Sequence, residues 1–341
     1  MTMRLLKYSD SDFAQSFDTL VNDGRGSDDD VSSDVRAILS QVREGGDTAI
    51  GKLTQRFDGF DLADEGWSIS ASQCQEALDS LDRELRSALE LAAKRIASYH
   101  EAQKPEDRDY RDADNIRLGA KWSAVDAAGI YVPGGRAAYP SSVLMNAIPA
   151  KVAGVERLVM VTPTPKGEIN RAVLAAAAIA GVDEIWRIGG AQAIAALAYG
   201  SESIAKVDVI TGPGNAWVAE AKRQVYGTVG IDMVAGPSEI VVVADANNDA
   251  SWIAADLLSQ AEHDPTSQSI LFTDDAAFAD QVAREVDKIL DNISTGETAR
   301  TSWQEHGAII VCQSLNAAMP MVNLLAADCL LYTSPSPRDR G

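Results

Sequence analysis

Four short runs decide the fold: AGIYVPGG at 128–135, RLVMVTPT at 157–164, EIWRIGG at 184–190 and VDVITGPG at 207–214. Each is an apolar stretch that stops at Gly or Pro and hands over to a segment with helical periodicity. The rhythm resumes with EIVVVADA at 239–246, SILFTDD at 269–275 and GAIIVCQ at 307–313. Strands that alternate with helices of about ten to fifteen residues specify βαβ units and a parallel sheet. Two such blocks are expected, 127–237 and 238–327. The fold class is α/β, with two incomplete Rossmann-like parallel-sheet units and an N-terminal helical region.

Upstream the period changes from two to 3.6. VRAILSQVREGGDTAIGKLTQRF at 35–57 spaces its apolar residues three and four apart, and Gly45-Gly46 divides it into two helices. EALDSLDRELRSALELAAKRIASYHEAQ at 76–103 is a longer amphipathic run. The helical region 28–128 is expected to pack with 238–327 as one domain, leaving 129–237 as a second, dinucleotide-binding domain. Residues 1–27 read as an arm with a solvated acidic end.

Composition narrows the function. The chain of 341 residues is 46% hydrophobic and carries a formal net charge of −20, which repels phosphate backbones and argues against nucleic acid as a partner. No apolar run approaches a bilayer-spanning length, and no secretory signal is legible, so no membrane partner and a cytoplasmic location are expected. Cys74, Cys312 and Cys329 lie far apart with no CxxC spacing and read as reduced thiols.

Ligands of parallel α/β sheets gather at strand ends, where Gly-rich turns let a backbone approach closely. Tyr131-Val132-Pro133-Gly134-Gly135, Ile188-Gly189-Gly190-Ala191-Gln192 and Gly212-Pro213-Gly214-Asn215 follow strands, whereas Ala235-Gly236-Pro237-Ser238-Glu239 precedes one. None is GxGxxG, so singly each reads as an ordinary turn; together they read as a ligand cleft. Gln192 and Asn215 are amides suited to a ribose or carboxamide, and Tyr131 can stack on a ring or simply pack. In DLLSQAEHDP at 256–265 a helix runs to Pro265, with Gln260 and His263 three apart on one face. They can bind a metal together. A histidine near a helix end is as readily a solvated charge complementing the dipole. His100 and His306 read as structural.

Taken together, these motifs resemble histidinol dehydrogenase. The stretches that carry the resemblance are 129–155, 188–204, 207–225, 231–245 and 256–273, with VREGGDTAIGKLTQRFDGF at 42–60, collinear from residue 31 to 327. The resemblance implies a histidinol dehydrogenase or aldehyde dehydrogenase-like fold, an intertwined homodimer, and oxidation of L-histidinol to L-histidine through the aldehyde with NAD as acceptor. It implies that Tyr131, Gln192 and Asn215 contact NAD and that Ser238 contacts substrate. Gln260 and His263 would supply two of four zinc ligands and also meet the substrate. Two other readings stand beside it: a related zinc- and NAD-dependent dehydrogenase of another small polar alcohol, and a non-catalytic NAD- or zinc-binding fragment.

The chain departs from the family pattern at one place. An adjacent Glu-His pair, the family's general acid and base, should follow Ala326-Ala327, but Asp328-Cys329-Leu330 stands there. Two readings compete, a genuine variant with Asp for Glu and Cys for His, and native sequence that stops here. The second is expected, because CLLYTSPSPRD at 329–339 looks like a translation of the transposon adapter used to build sequencing libraries. A glutamate codon begins GA; joined to the adapter's leading C it becomes GAC, aspartate. Asp328 is therefore expected to be the overwritten position of the family's glutamate. Residues 328–341 are expected to be an artefactual, disordered tail, and the chain to be inactive. Resequencing the source DNA across this junction should return Glu-His-Leu codons after Ala327; genomic DNA encoding Asp-Cys-Leu-Leu-Tyr without adapter sequence would contradict this.

Overall fold

The structure, a computed structural model, describes residues 3–22, 28–134, 139–234 and 236–332. Its strands are β1 (Arg4–Lys7), β2 (Ser68–Ile69), β3 (Arg108–Arg111), β4 (Arg117–Ala120), β5 (Ala127–Tyr131), β6 (Arg157–Val161), β7 (Glu184–Trp186), β8 (Val209–Thr211), β9 (Gly230–Ile231), β10 (Glu239–Val243), β11 (Gln268–Thr273), β12 (Ala308–Val311) and β13 (Cys329–Tyr332). The seven runs singled out in the sequence are β5, β6, β7, β8, β10, β11 and β12. The chain divides into two compact units, residues 28–235 and the remainder.

In residues 28–235 one sheet has the order β2-β7-β6-β5-β8-β9, parallel except for β2 against β7. Central β5 is buried along its whole length, as a strand covered on both faces must be. The alanine-rich helix Gly190–Tyr199 lies in the same apolar cluster as Val35, Ile38, Leu39, Val42, Ile50 and Leu53 of the helix Asp28–Asp58, which is broken in two by a kink at Gly46 (φ +48°), where the sequence places the division. Small alanine side chains let the two helices approach closely. On the other side, Cys74, Ala77 and Leu89 from 71–101 join Val143, Leu144, Val173 and Leu174 in a second cluster. The hairpin β3–β4 stands apart, all eight of its residues exposed.

The second unit has a fully parallel sheet, β1-β12-β11-β10-β13. Ile253, Leu257, Leu271, Val282 and Trp303 fill one of its apolar clusters, and Phe17, Leu20, Ile270 and Phe272 belong to the other.

Three expectations need correction. The helical region 28–128 packs not with 238–327 but within 28–235, because its apolar faces complete the two clusters around β5 and β6. The described part of the N-terminal arm is not a loose extension. β1 pairs with β12, and Phe17 and Leu20 of the helix Phe13–Val21 are buried. The start of the tail, 329–332, is ordered as β13, which pairs in parallel with β10 from Ile240↔Cys329 to Val243↔Tyr332. Its residues alternate between half-buried and exposed, and Cys329 and Leu331 pack against the Ile253–Trp303 cluster. An alternating apolar tetrapeptide beside an open sheet edge gains both a hydrogen-bond ladder and burial. Residues 333–341 lie outside the described residues.

One buried arrangement fixes the turn after β8. Gly212 has φ +114°, and a Cβ there would fall on the carbonyl oxygen of Tyr131. Only glycine lets the turn sit this close to the end of β5. The Gly212 N–H donates to Asp232 Oδ2 at 2.8 Å, and its carbonyl accepts from Lys222 Nζ at 3.0 Å. Lys222 and Asp232 are themselves ion-paired, with the lysine side chain 3% exposed and the aspartate 30%. Both backbone groups of one glycine are thus held by a charge-balanced pair whose lysine is buried.

Lys222→Met should leave Asp232 uncompensated and release the Gly212 carbonyl. The expected loss is about 2–3 kcal/mol in urea unfolding, below the cost of a fully buried pair because Asp232 keeps contact with water. An unchanged unfolding midpoint would show that the pair holds nothing.

Candidate functional site

The carboxyl edge of the sheet in 28–235 gathers three predicted residues around one cleft of about 500 Å3. Tyr131 ends β5, Gln192 lies in the first turn of the helix that follows β7, and Asn215 caps the helix Ala216–Val225 after β8. Ile38, Phe57 and Asp58 from the helix Asp28–Asp58 line it as well, with Pro133, Pro163 and Trp217.

Each polar group here has a definite role. The Tyr131 hydroxyl accepts the Gly190 N–H at 3.2 Å, tying the end of β5 to the start of the following helix. Asn215 Oδ1 accepts the Val218 N–H at 3.2 Å as a helix cap, so the group it offers a ligand is its amide nitrogen. Gln192 is 2% exposed, and its Nε2 has no hydrogen-bond partner among the described residues. A buried amide left unpaired costs about 1–3 kcal/mol, so this one is open to an acceptor that a ligand could bring. The first-turn amides of Gly190–Tyr199, whose cap Gly189 has no side chain, add a positive end suited to phosphate.

Burial pushes the Tyr131 phenol up to about 12; the nearby Asp58 charge adds to this, against the Gly190 N–H. The phenol is therefore protonated at any physiological pH and serves as a neutral surface and donor rather than a base. Burial also raises Asp58 above the usual carboxylate range, and its Oδ2 has no partner among the described residues. Sequence reasoning missed Asp58. The available signal was an aspartate at the C-terminal end of a helix, where the dipole disfavours negative charge.

The remaining predicted residues lie in the other unit, at the amino edge of its sheet. Ser238 precedes β10, Asp328 precedes β13, and Gln260 and His263 close the helix Ala250–Ala261 that leads into β11. That helix ends at Ala261, earlier than the Pro265 stop expected; Glu262 caps it and the His263 N–H donates to the Gln260 carbonyl at 3.1 Å. Register sets Glu239 beside Gln268, and Gln268 N–H donates to the Ser238 carbonyl at 3.1 Å. The Asp328 carboxylate accepts the Glu239 N–H at 3.3 Å. Ser238, His263 and Asp328 are exposed, and Gln260 is half-buried with an unpartnered Nε2. Burial raises Asp256, one turn before Gln260, which sequence reasoning also passed over.

Imidazole and an amide oxygen are donors that zinc accepts, and an amide with no internal hydrogen bond on its nitrogen is free to turn that oxygen outward. Gln260 and His263 thus carry donor types that a metal accepts. Among the described residues no group of three or more His, Cys, Asp or Glu could hold a metal ion. No helix of the described residues is long and apolar enough to cross a membrane.

Comparison with known proteins identifies the family. The family model described as histidinol dehydrogenase matches residues 22–339. Histidinol dehydrogenase of Zymomonas mobilis is 59% identical over 327 residues, 96% of this chain and 76% of that protein. The Rhodospirillum rubrum protein of the same name is 60% identical over 333 residues, 97% of this chain and 77% of that one. The crystal structure of histidinol dehydrogenase from Elizabethkingia anophelis superposes with a TM-score of 0.87 at 31% identity, covering 99% of this chain and 77% of that one. The chain, spanning about three quarters of its relatives, belongs to the histidinol dehydrogenase family.

Proposed function

We propose that the cleft of residues 28–235 is the NAD site of an L-histidinol oxidation, the last step of histidine synthesis, and that the acid-base step is missing from this chain. The family's activity is NAD-dependent oxidation; the placement of that chemistry on particular residues is our reading. The observation that carries it is the buried Gln192 amide, unpartnered and beside Tyr131 and Asn215 in one cleft.

NAD, held by Tyr131, Gln192 and Asn215, would supply the acceptor for the hydride lost from the carbinol carbon. Tyr131 presents a neutral ring to the cofactor, Gln192 donates to it, and Asn215 offers an amide hydrogen while capping its helix. Pro133, Pro163 and Trp217 supply apolar walls that exclude water. In the other unit, Ser238 is proposed to meet substrate. Gln260 and His263 would hold zinc, whose chemistry when bound is to orient the imidazole and amino nitrogens of histidinol. A base must take the hydroxyl proton in the first oxidation and activate water on the aldehyde in the second. Asp328, followed by Cys329, cannot reproduce a Glu-His pair: one carboxylate is present, bonded to the Glu239 N–H, and the imidazole is gone.

The family works as a homodimer in this reading. Support comes from the hairpin β3–β4 and its flanks, which present Tyr110, Ile116, Leu118 and Trp122 to solvent. The three cysteines are free, as a reducing, cytoplasmic setting requires. A second reading, a fragment that binds NAD without turnover, is favoured for this polypeptide by the Asp328-Cys329 junction alone.

The chain as it stands should give no histidinol-dependent NADH, while the full-length gene with Glu-His restored should rescue a histidine auxotroph. Turnover by the 341-residue chain would overturn the assignment of the missing step. Gln192→Ala should weaken NAD binding about tenfold in calorimetry, the cost of one lost hydrogen bond in a dry site, with little change in unfolding because it removes an unpaired amide. Equal affinity in the two proteins would place the cofactor elsewhere.

A further inference from the structure

We propose that Asp58 sets the cofactor preference of this cleft: its carboxylate receives the vicinal hydroxyls of a dinucleotide ribose and turns away a ribose that carries a 2′-phosphate. This rests on the reading of the cleft as the dinucleotide site. Asp58 closes the helix Asp28–Asp58, where the dipole's negative end disfavours a carboxylate, and the same residue as an N-cap would be useful. Its Oδ2 is buried with no partner among the described residues, and burial is the one cause that shifts its proton affinity. A buried, unpaired oxygen at the wrong end of a helix weakens the folded state.

Its position is nonetheless rigid. Gly59 turns the chain at φ +62°, and Phe60 behind it is fully buried, with the Arg187 guanidinium 3.9 Å above its ring. The backbone that carries the carboxylate is therefore anchored two residues on, at the wall of the cleft.

The chemistry of the cleft then defines the ligand group. Asp58 is the sole charged residue among the described lining residues; the polar groups beside it, on Tyr131, Gln192 and Asn215, are neutral. Two adjacent hydroxyls can donate to the two oxygens of one carboxylate, and this satisfies Oδ2. A phosphate monoester in their place brings like charge against a half-buried carboxylate and meets no lysine or arginine among those residues.

Titrating NADH and NADPH into the 341-residue chain, read by nucleotide fluorescence, tests this. The wild type should prefer NADH by about tenfold or more, because like charges at contact cost at least one decade in affinity. Asp58→Asn and Asp58→Ser should each narrow that preference to near unity, by losing NADH affinity and gaining NADPH affinity, while their urea midpoints stay level or rise. A preference unchanged in both variants, or both nucleotides weakened equally, overturns the proposal and leaves the dinucleotide site standing. Binding of neither nucleotide to the wild type removes the dinucleotide reading, and this inference falls with it.

Discussion

The grip of Lys222 and Asp232 on Gly212 ties together the parts on which the cofactor side depends. Gly212 can lie against the Tyr131 carbonyl only because it lacks a side chain, and its N–H and carbonyl are both taken by that pair. The end of β5, the turn after β8 and the cap Asn215 are thereby set in one frame. Tyr131 extends the frame to β7, because its hydroxyl accepts the Gly190 N–H at the start of the Gln192 helix. Three residues from three separate βα turns thereby acquire fixed positions. A ligand then meets groups that need little ordering, which lowers the entropic cost of binding.

The two units present their candidate residues at opposite edges of their sheets. Tyr131, Gln192 and Asn215 stand at carboxyl ends, as expected for nucleotide sites in parallel sheets. Ser238, Gln260, His263 and Asp328 stand at amino ends, before β10, β11 and β13. That division has a physical logic. A helix N-terminus and close-approaching glycines favour phosphate, whereas the end of a helix and the loop after it offer exposed donors such as His263, as a metal needs. The carboxyl-edge cleft lies wholly within 28–235, while Asp328-Cys329 stands at the amino edge of the other unit's sheet.

Much of this was legible in the sequence, and the failures have identifiable causes. The strands were readable because β-branched runs such as Arg157–Val161 end at Pro or Gly. The cleft residues were readable because Gly-rich turns recur after those strands. The partner of the helix Asp28–Asp58 was not readable: an amphipathic stripe says that a face is buried and not against what. Only the row of alanines in 190–199 makes that neighbour explicit, and only once the two are seen together. Asp58 was missed because a lone aspartate beside a glycine reads as a solvated helix end. The ordered strand β13 was missed because the composition of 329–341 as a whole, rich in Ser, Pro and Arg, hides a four-residue alternation at its start.

The central claim is that a preformed dinucleotide cleft persists in a chain that has lost its acid-base step. Amide hydrogen exchange of the 341-residue chain with and without NAD tests it most directly. The account predicts slower exchange on NAD addition at 131–134, 189–192 and 212–218, with no change at 238–240 or 260–263. Unchanged exchange at the first three segments, or protection confined to the last two, would contradict it.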